Sequence, residues 1–127
     1  MIPASSDCEK SALGKLTTHV LDTAFGAPAA GVAVRLFKAG ALRPLVEALT
    51  NADGRCDRPL LEGEALSAGG YRLEFAIADY FRARGAALAD PPFLDRVVID
   101  FAVADASSHY HVPLLVSPFG YSTYRGS

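Results

Sequence analysis

The sequence has little of what metal sites, membrane spans and nucleic-acid surfaces require. It holds only two cysteines, Cys8 and Cys56, and they lie too far apart for the paired spacing of zinc ligands. The formal net charge is −2, so we expect no surface basic enough to bind nucleic acid. No apolar run reaches the roughly 20 residues that a membrane-spanning helix needs. These shortages predict a domain that works without a metal, a membrane or a nucleic acid.

Other absences bear on compartment and chemistry. The N-terminus lacks the basic start and apolar stretch of a secretory signal. We therefore expect a cytoplasmic protein with two free thiols, although a bridge between the cysteines stays open as an alternative. Phosphate-binding loops, dinucleotide fingerprints and nucleophile elbows are also missing.

The length of 127 residues suffices for one hydrophobic core. Residues 1–14 are small and polar, and we expect a flexible tail there. Residues 15–127 are expected to form a single domain.

Apolar and polar residues alternate along most of this domain, as in β-strands that bury one face. The alternation predicts strands over residues 16–21, 32–37, 45–50, 71–75, 97–103, 110–116 and 121–124. Residues 76–87 break the alternation and predict one short helix, ended by Gly85. Residues 51–54 end in Asp-Gly and predict a tight turn. About seven or eight short strands and one helix predict an all-β, two-sheet sandwich.

Two strands carry histidine on the face opposite to their expected core residues. This outward face is predicted to hold Thr17, His19, Leu21, His109, His111, Pro113 and Leu115. Leucine and proline are unusual on a face open to water, so we expect another subunit to cover it. An immunoglobulin-like interaction module would instead have a polar outer face. The pattern therefore favours an oligomer with histidines at its interface.

The histidines are the first candidates for chemistry, because imidazole titrates near neutral pH and suits general-base catalysis. Most strand histidines are surface or packing residues, but apolar neighbours favour a function here. His109 and His111 share a face, so spacing does not choose between them. Arg55 follows the predicted turn, where a solvated arginine is common; its planar fork of donors also suits an anionic or carbonyl-rich ligand. Near the chain end, Tyr121 and Tyr124 are able to anchor the last residues against a sheet.

Several segments resemble the signatures of the 5-hydroxyisourate hydrolases, relatives of transthyretin. Residues 15–22, Lys-Leu-Thr-Thr-His-Val-Leu-Asp, resemble the family's opening strand. Residues 50–55, Thr-Asn-Ala-Asp-Gly-Arg, resemble its second signature, and residues 75–94 are similar as well. Residues 109–127, ending in Tyr-Arg-Gly-Ser, resemble the C-terminal signature. The resemblance covers the chain from about Lys15 onward.

The resemblance implies a transthyretin-like sandwich with a defined active site. The implied catalytic residues are His19, Arg55, His111 and Tyr124. The implied substrate-binding residues are His19, Arg55, Tyr124, Arg125 and Ser127. His111 is preferred to His109 because it directly precedes Val-Pro-Leu-Leu. Neither a metal nor an organic cofactor is implied.

The implied reaction is hydrolysis of 5-hydroxyisourate, the product of urate oxidation, to 2-oxo-4-hydroxy-4-carboxy-5-ureidoimidazoline in purine catabolism. The implied assembly is a homotetramer, a dimer of dimers with active sites in the channel where the dimers meet. The alternative is a non-enzymatic, transthyretin-like carrier of a small aromatic ligand in that channel. A carrier is expected to lack the two histidines, the arginine and the terminal Tyr-Arg-Gly-Ser, all of which are present.

Overall fold

Two β-sheets make up the part of the chain that the computed structural model describes, residues 13–126. The first sheet holds β1 (Lys15–Asp22), β2 (Ala27–Pro28), β5 (Leu61–Glu62), β8 (Tyr110–Ser117) and β9 (Gly120–Thr123). The second holds β3 (Ala33–Lys38), β4 (Val46–Leu49), β6 (Gly69–Ala76) and β7 (Arg96–Val103). A 3-10 turn lies at Gly63–Ala65, and an α-helix, α1, spans Ile77–Ala83. The predicted all-β sandwich is confirmed.

The predicted elements are present, with two additions. All seven predicted strands form, and the extra strands β2 and β5 have two residues each, too short for alternation to indicate. The predicted helix is shorter than expected, and Gly85 follows it with a φ of +86°. The expected tail, residues 1–14, lies outside the described residues except for its last two. No helix among residues 13–126 is long and apolar enough to cross a membrane.

The order of the first sheet is β2-β1-β8-β9, with β5 also paired to β1. β1 and β8 run parallel, although they come from opposite ends of the chain. Their register sets Thr17 opposite His111 and His19 opposite Pro113. All other strand pairs are antiparallel, including the second sheet, β4-β3-β6-β7. The parallel pair thus brings the two histidine-bearing strands side by side.

The core lies between the sheets, and alternate residues of each strand fill it. The predicted core faces of β1 and β8 are confirmed, because all of their residues are buried: Leu16, Thr18, Val20, Tyr110, Val112, Leu114 and Val116. From the second sheet the core receives, among others, Val34, Leu36, Leu73 and Phe75. The opposite face of the first sheet therefore points away from this core.

The turn at residues 51–54 forms, but it does not join two paired strands as a hairpin turn would. It carries the chain from the second sheet to the edge of β1, where the Val20 N–H donates to the carbonyl oxygen of Gly54 at 2.8 Å. Gly54 has a φ of +77°, and a Cβ there would lie 2.3 Å from the Val20 oxygen. The Oδ1 of Asn51 accepts the N–H groups of Asp53 and Arg55. Gly54 and Asn51 together hold Arg55 against β1.

One buried hydrogen-bond cluster ties α1 to the end of β1. The Tyr80 hydroxyl donates to Oδ2 of Asp22 at 2.7 Å, and the N–H groups of Ala24 and Phe25 donate to Oδ1 at 2.9 Å. Asp22 is only 1% exposed. Burial, the hydrogen bond and the negative charge of Asp22 raise the pKa of Tyr80 to about 12. The hydroxyl therefore stays protonated and donates throughout the neutral range.

We expect Tyr80→Phe to lower the free energy of unfolding by roughly 1.5–3 kcal/mol, the range for hydrogen bonds to charged groups. The variant leaves the buried Asp22 carboxylate one donor short. Urea unfolding at one fixed protein concentration measures the loss. Tyr121→Phe is the control, because Tyr121 is 47% exposed. A loss below about 0.5 kcal/mol, typical of surface substitutions, would contradict the assignment.

Candidate active site

Backbone pairing holds the first histidine and the arginine together at the edge of β1. His19 and Arg55 form an isolated antiparallel bridge. On β1 it lies between the residues that pair with β5 and those that pair with β2. The Nε2 of His19 lies 2.8 Å from the carbonyl oxygen of Asp53. A carbonyl only accepts, so Nε2 carries a proton and donates it. In the neutral ring, Nδ1 of His19 is then the nitrogen with a free lone pair.

The second histidine, His111, is held from two sides. Its Nδ1 lies 2.8 Å from the Thr17 hydroxyl oxygen on the neighbouring parallel strand. Its carbonyl oxygen accepts the N–H of Gly126 at 2.7 Å. A Cβ on Gly126 would come within 2.9 Å of Cδ2 of the imidazole. Glycine is therefore needed at position 126 because the main chain packs directly against the ring.

The C-terminal segment continues the sheet beyond β9 without a change of register, as far as Gly126, which pairs with His111. That register puts Tyr124 on the outward face, in the row of His19. Tyr124 is 61% exposed. On the outward face, residues that are neighbours across the strands form two adjacent rows. One row holds Arg55, His19, Pro113 and Tyr124. The next row holds Thr17, His111 and Gly126. Ser127 lies outside the described residues.

Arg125 lies on the other side of this segment. Its guanidinium carbon is 4.2 Å from the ring centroid of Tyr110, which belongs to the core face of β8. Its Nη2 donates to the carbonyl oxygen of His109 at 3.0 Å. The structure thus brings together three of the residues named from the sequence, His19, Arg55 and His111, with Tyr124 in the segment alongside. It sets the Arg125 guanidinium apart from them, as an anchor of the C-terminal segment.

Burial and the positive charges of the site both act on His111. The ring is half-buried, and burial lowers its pKa below the ordinary value of 6.5. The charges of Arg55, His19 and His109 lower the pKa further. Both effects favour the neutral form of His111, which is able to accept a proton, as a general base must.

A small cleft of about 180 Å³ adjoins the two rows and is lined by Thr17, Thr18, Arg55, Cys56, Asp57, Arg58 and Pro59. Burial and then the charge of Asp57 raise the pKa of the Cys56 thiol, which makes it a poor nucleophile. Within residues 13–126, no three metal-binding side chains are grouped. The groups available for catalysis are therefore two imidazoles next to a guanidinium.

Sequence reasoning missed two contributors to this site. Thr17 was placed only as a neighbour on the outward face, and the Asp53 carbonyl was not considered. The parallel pairing of β1 with β8 brings Thr17 to His111, and the turn brings Asp53 to His19. Neither contact has a local signal in the sequence.

Comparisons with known proteins agree with the resemblance of the motifs. The model of the HIUase/Transthyretin family matches residues 16–126. The "5-hydroxyisourate hydrolase" of Ralstonia nicotianae is 61% identical over 117 residues, which are 91% of this chain and 100% of that protein.

Solved structures give the same result. The structure of Klebsiella pneumoniae 5-hydroxyisourate hydrolase is similar with a TM-score of 0.73 and 37% identity, covering 90% of this chain and 94% of that one. A crystal structure of (S)-allantoin synthase is similar with a TM-score of 0.87 and 40% identity over 91% of this chain. This chain spans only 44% of the synthase.

We expect His111 to titrate below pH 6.5 and Arg55→Gln to raise its pKa, because a nearby positive charge that opposes protonation is removed. NMR titration of the histidine Cε1 protons measures this directly. Arg55→Lys keeps the charge and should leave the pKa low. Arg58→Gln is the matched control, since it removes an arginine of the same cleft that does not act on His111. A pKa of His111 unchanged in Arg55→Gln would contradict the electrostatic argument.

Proposed function

We propose that this chain, which belongs to the HIUase/Transthyretin family, is a 5-hydroxyisourate hydrolase. The observation that carries the proposal is the grouping of His19, Arg55 and His111 on one face of the first sheet. The named relative that is 61% identical over its whole length supports the same substrate. The product is 2-oxo-4-hydroxy-4-carboxy-5-ureidoimidazoline.

The reaction adds water across a cyclic amide-type C–N bond. Water attacks a ring carbonyl carbon, the C–N bond breaks, and the ring nitrogen leaves with a proton. We assign His111 as the base that takes the proton from water, because its lowered pKa keeps it neutral. His19 then orients the water from the adjacent row. Arg55 binds the ring carbonyl groups and stabilises the negative charge that develops on oxygen.

The C-terminal residues complete the proposed site. Tyr124, on the same outward face, contacts the substrate ring or donates a hydrogen bond to it. Ser127 is proposed as a substrate-binding residue from the family signature alone. Arg125 supports substrate binding by holding Tyr124 and Gly126 in register, since its guanidinium is engaged with the Tyr110 ring and the His109 carbonyl. No step requires a metal or an organic cofactor.

We also propose that the working form is a cytoplasmic homotetramer, a dimer of dimers. The outward face carries Leu21 and Leu115 beside the histidines, and both are only partly covered in one chain. Among the described residues, β9 lies at one edge of the first sheet and β7 at one edge of the second, which leaves backbone groups of both strands open to pairing. A second subunit over the outward face would also enclose a site that is shallow in one chain.

We expect the protein to accelerate the decay of freshly generated 5-hydroxyisourate, followed by absorbance. His111→Ala and His19→Ala should lower kcat by about 10²–10⁴-fold, the usual contribution of a positioned acid or base. His109→Ala is the matched control and should retain near-normal turnover, because His109 is an exposed histidine that directly precedes β8. Decay no faster than the spontaneous rate would favour the non-enzymatic carrier.

Assembly is tested separately by sedimentation. We expect a particle of about four times the 13.4 kDa of one chain. Leu115→Glu should dissociate it and abolish turnover, because an unpaired charge in an interface is costly. Leu42→Glu is the control, since Leu42 is 96% exposed and lies on a loop of the second sheet. A fully active monomer would refute the role of assembly.

A further inference from the structure

We propose that Thr17 is a positioning residue for His111: its hydroxyl oxygen accepts the Nδ1–H of the ring and leaves Nε2 as the nitrogen that takes a proton from water. The inference rests on the proposed hydrolase function for its catalytic meaning. The tautomer that it assigns is a property of the protein alone.

The contact is set by the strand register rather than by a flexible side chain. Thr17 lies directly opposite His111 in the parallel β1–β8 pair, and the two polar atoms are 2.8 Å apart. Both residues are half-buried, so the hydrogen bond is partly protected from exchange with water. β-Branching limits the rotamers of Thr17, which helps to hold the hydroxyl in place.

Gly126 prevents the ring from escaping this contact. Its main chain packs against the Cδ2 side of the imidazole, where a Cβ would lie only 2.9 Å away. Turning the ring over would move the polar Nδ1 towards Gly126 and bring a carbon to the Thr17 hydroxyl. The hydrogen bond on one side and close packing on the other thus favour one ring orientation.

The direction of the hydrogen bond follows from the chemistry that His111 must perform. A hydroxyl can donate or accept, so the distance alone is compatible with either tautomer. If Thr17 donated, Nε2 would carry the proton in the neutral ring and could not take another from water. With Thr17 accepting, Nε2 keeps its lone pair. The hydrogen bond from Nδ1 also persists when Nε2 becomes protonated, so it holds the ring both before and after the proton is taken from water.

His19 differs from His111, because its Nε2, and not its Nδ1, is held by a hydrogen bond to another residue. Its Nε2 donates to the Asp53 oxygen, which leaves Nδ1 with the free lone pair. The two histidines are therefore held in opposite tautomers, each by a partner that comes from a different part of the chain. Such outer hydrogen bonds fix which ring nitrogen is available for chemistry.

Thr17→Val tests the proposal, since it removes the hydroxyl and keeps the β-branched shape. We expect kcat to fall roughly three- to tenfold, the equivalent of one neutral hydrogen bond, with KM little changed. Nitrogen-15 NMR of the imidazoles, with His111 assigned from His111→Gln, should show Nδ1 protonated in the wild type. In Thr17→Val the Nε2-protonated form should appear.

Two further variants separate positioning from folding. Thr17→Ser keeps the acceptor and should restore both the Nδ1-protonated ring and kcat. Thr18→Val removes the neighbouring hydroxyl, which donates to the Val112 carbonyl on the core face, and should leave the tautomer of His111 unchanged. A wild-type ring protonated on Nε2, or a Thr17→Val enzyme with wild-type kcat, would overturn the proposal. Absence of turnover in the wild type would instead refute the hydrolase function alone, since the tautomer is read without substrate.

Discussion

The parallel pairing of β1 with β8 is the contact on which both the core and the candidate site depend. Thr17 and His111 are 94 residues apart in sequence, and this pairing places them in hydrogen-bond contact. The same pairing buries the inner faces of both strands. One ladder of backbone hydrogen bonds therefore fixes the packing and the position of the second histidine, so a shift in register would disturb both together.

Local features of the fold could be predicted from the sequence, and long-range features could not. Alternation correctly predicted which residues of β1 and β8 face the core, because the period of a strand is a local property. It could not predict that the two strands pair in parallel, nor that the turn at residues 51–54 leads to β1 instead of forming a hairpin. The strands β2 and β5 were missed because two residues carry no period.

The candidate site shows the same division. The family signature selected His19, Arg55 and His111, and the structure groups them on one face. Their hydrogen-bond partners, the Asp53 carbonyl and the Thr17 hydroxyl, depend on tertiary contacts and could not be read from motifs. A motif also does not tell on which side of its segment each residue lies. The same alternation that turns Tyr124 outward turns the next residue, an arginine, towards the Tyr110 ring.

The positive charge of the site follows from this arrangement and has a chemical use. A general base must be neutral at working pH, and a histidine with its ordinary pKa of about 6.5 is partly protonated near neutrality. Burial of His111 and the charge of Arg55 both disfavour the imidazolium. The guanidinium that is suited to stabilising an oxyanion therefore also disfavours protonation of the proposed base. Both effects require Arg55 to lie beside β1, which the glycine turn and the backbone bridge to His19 secure.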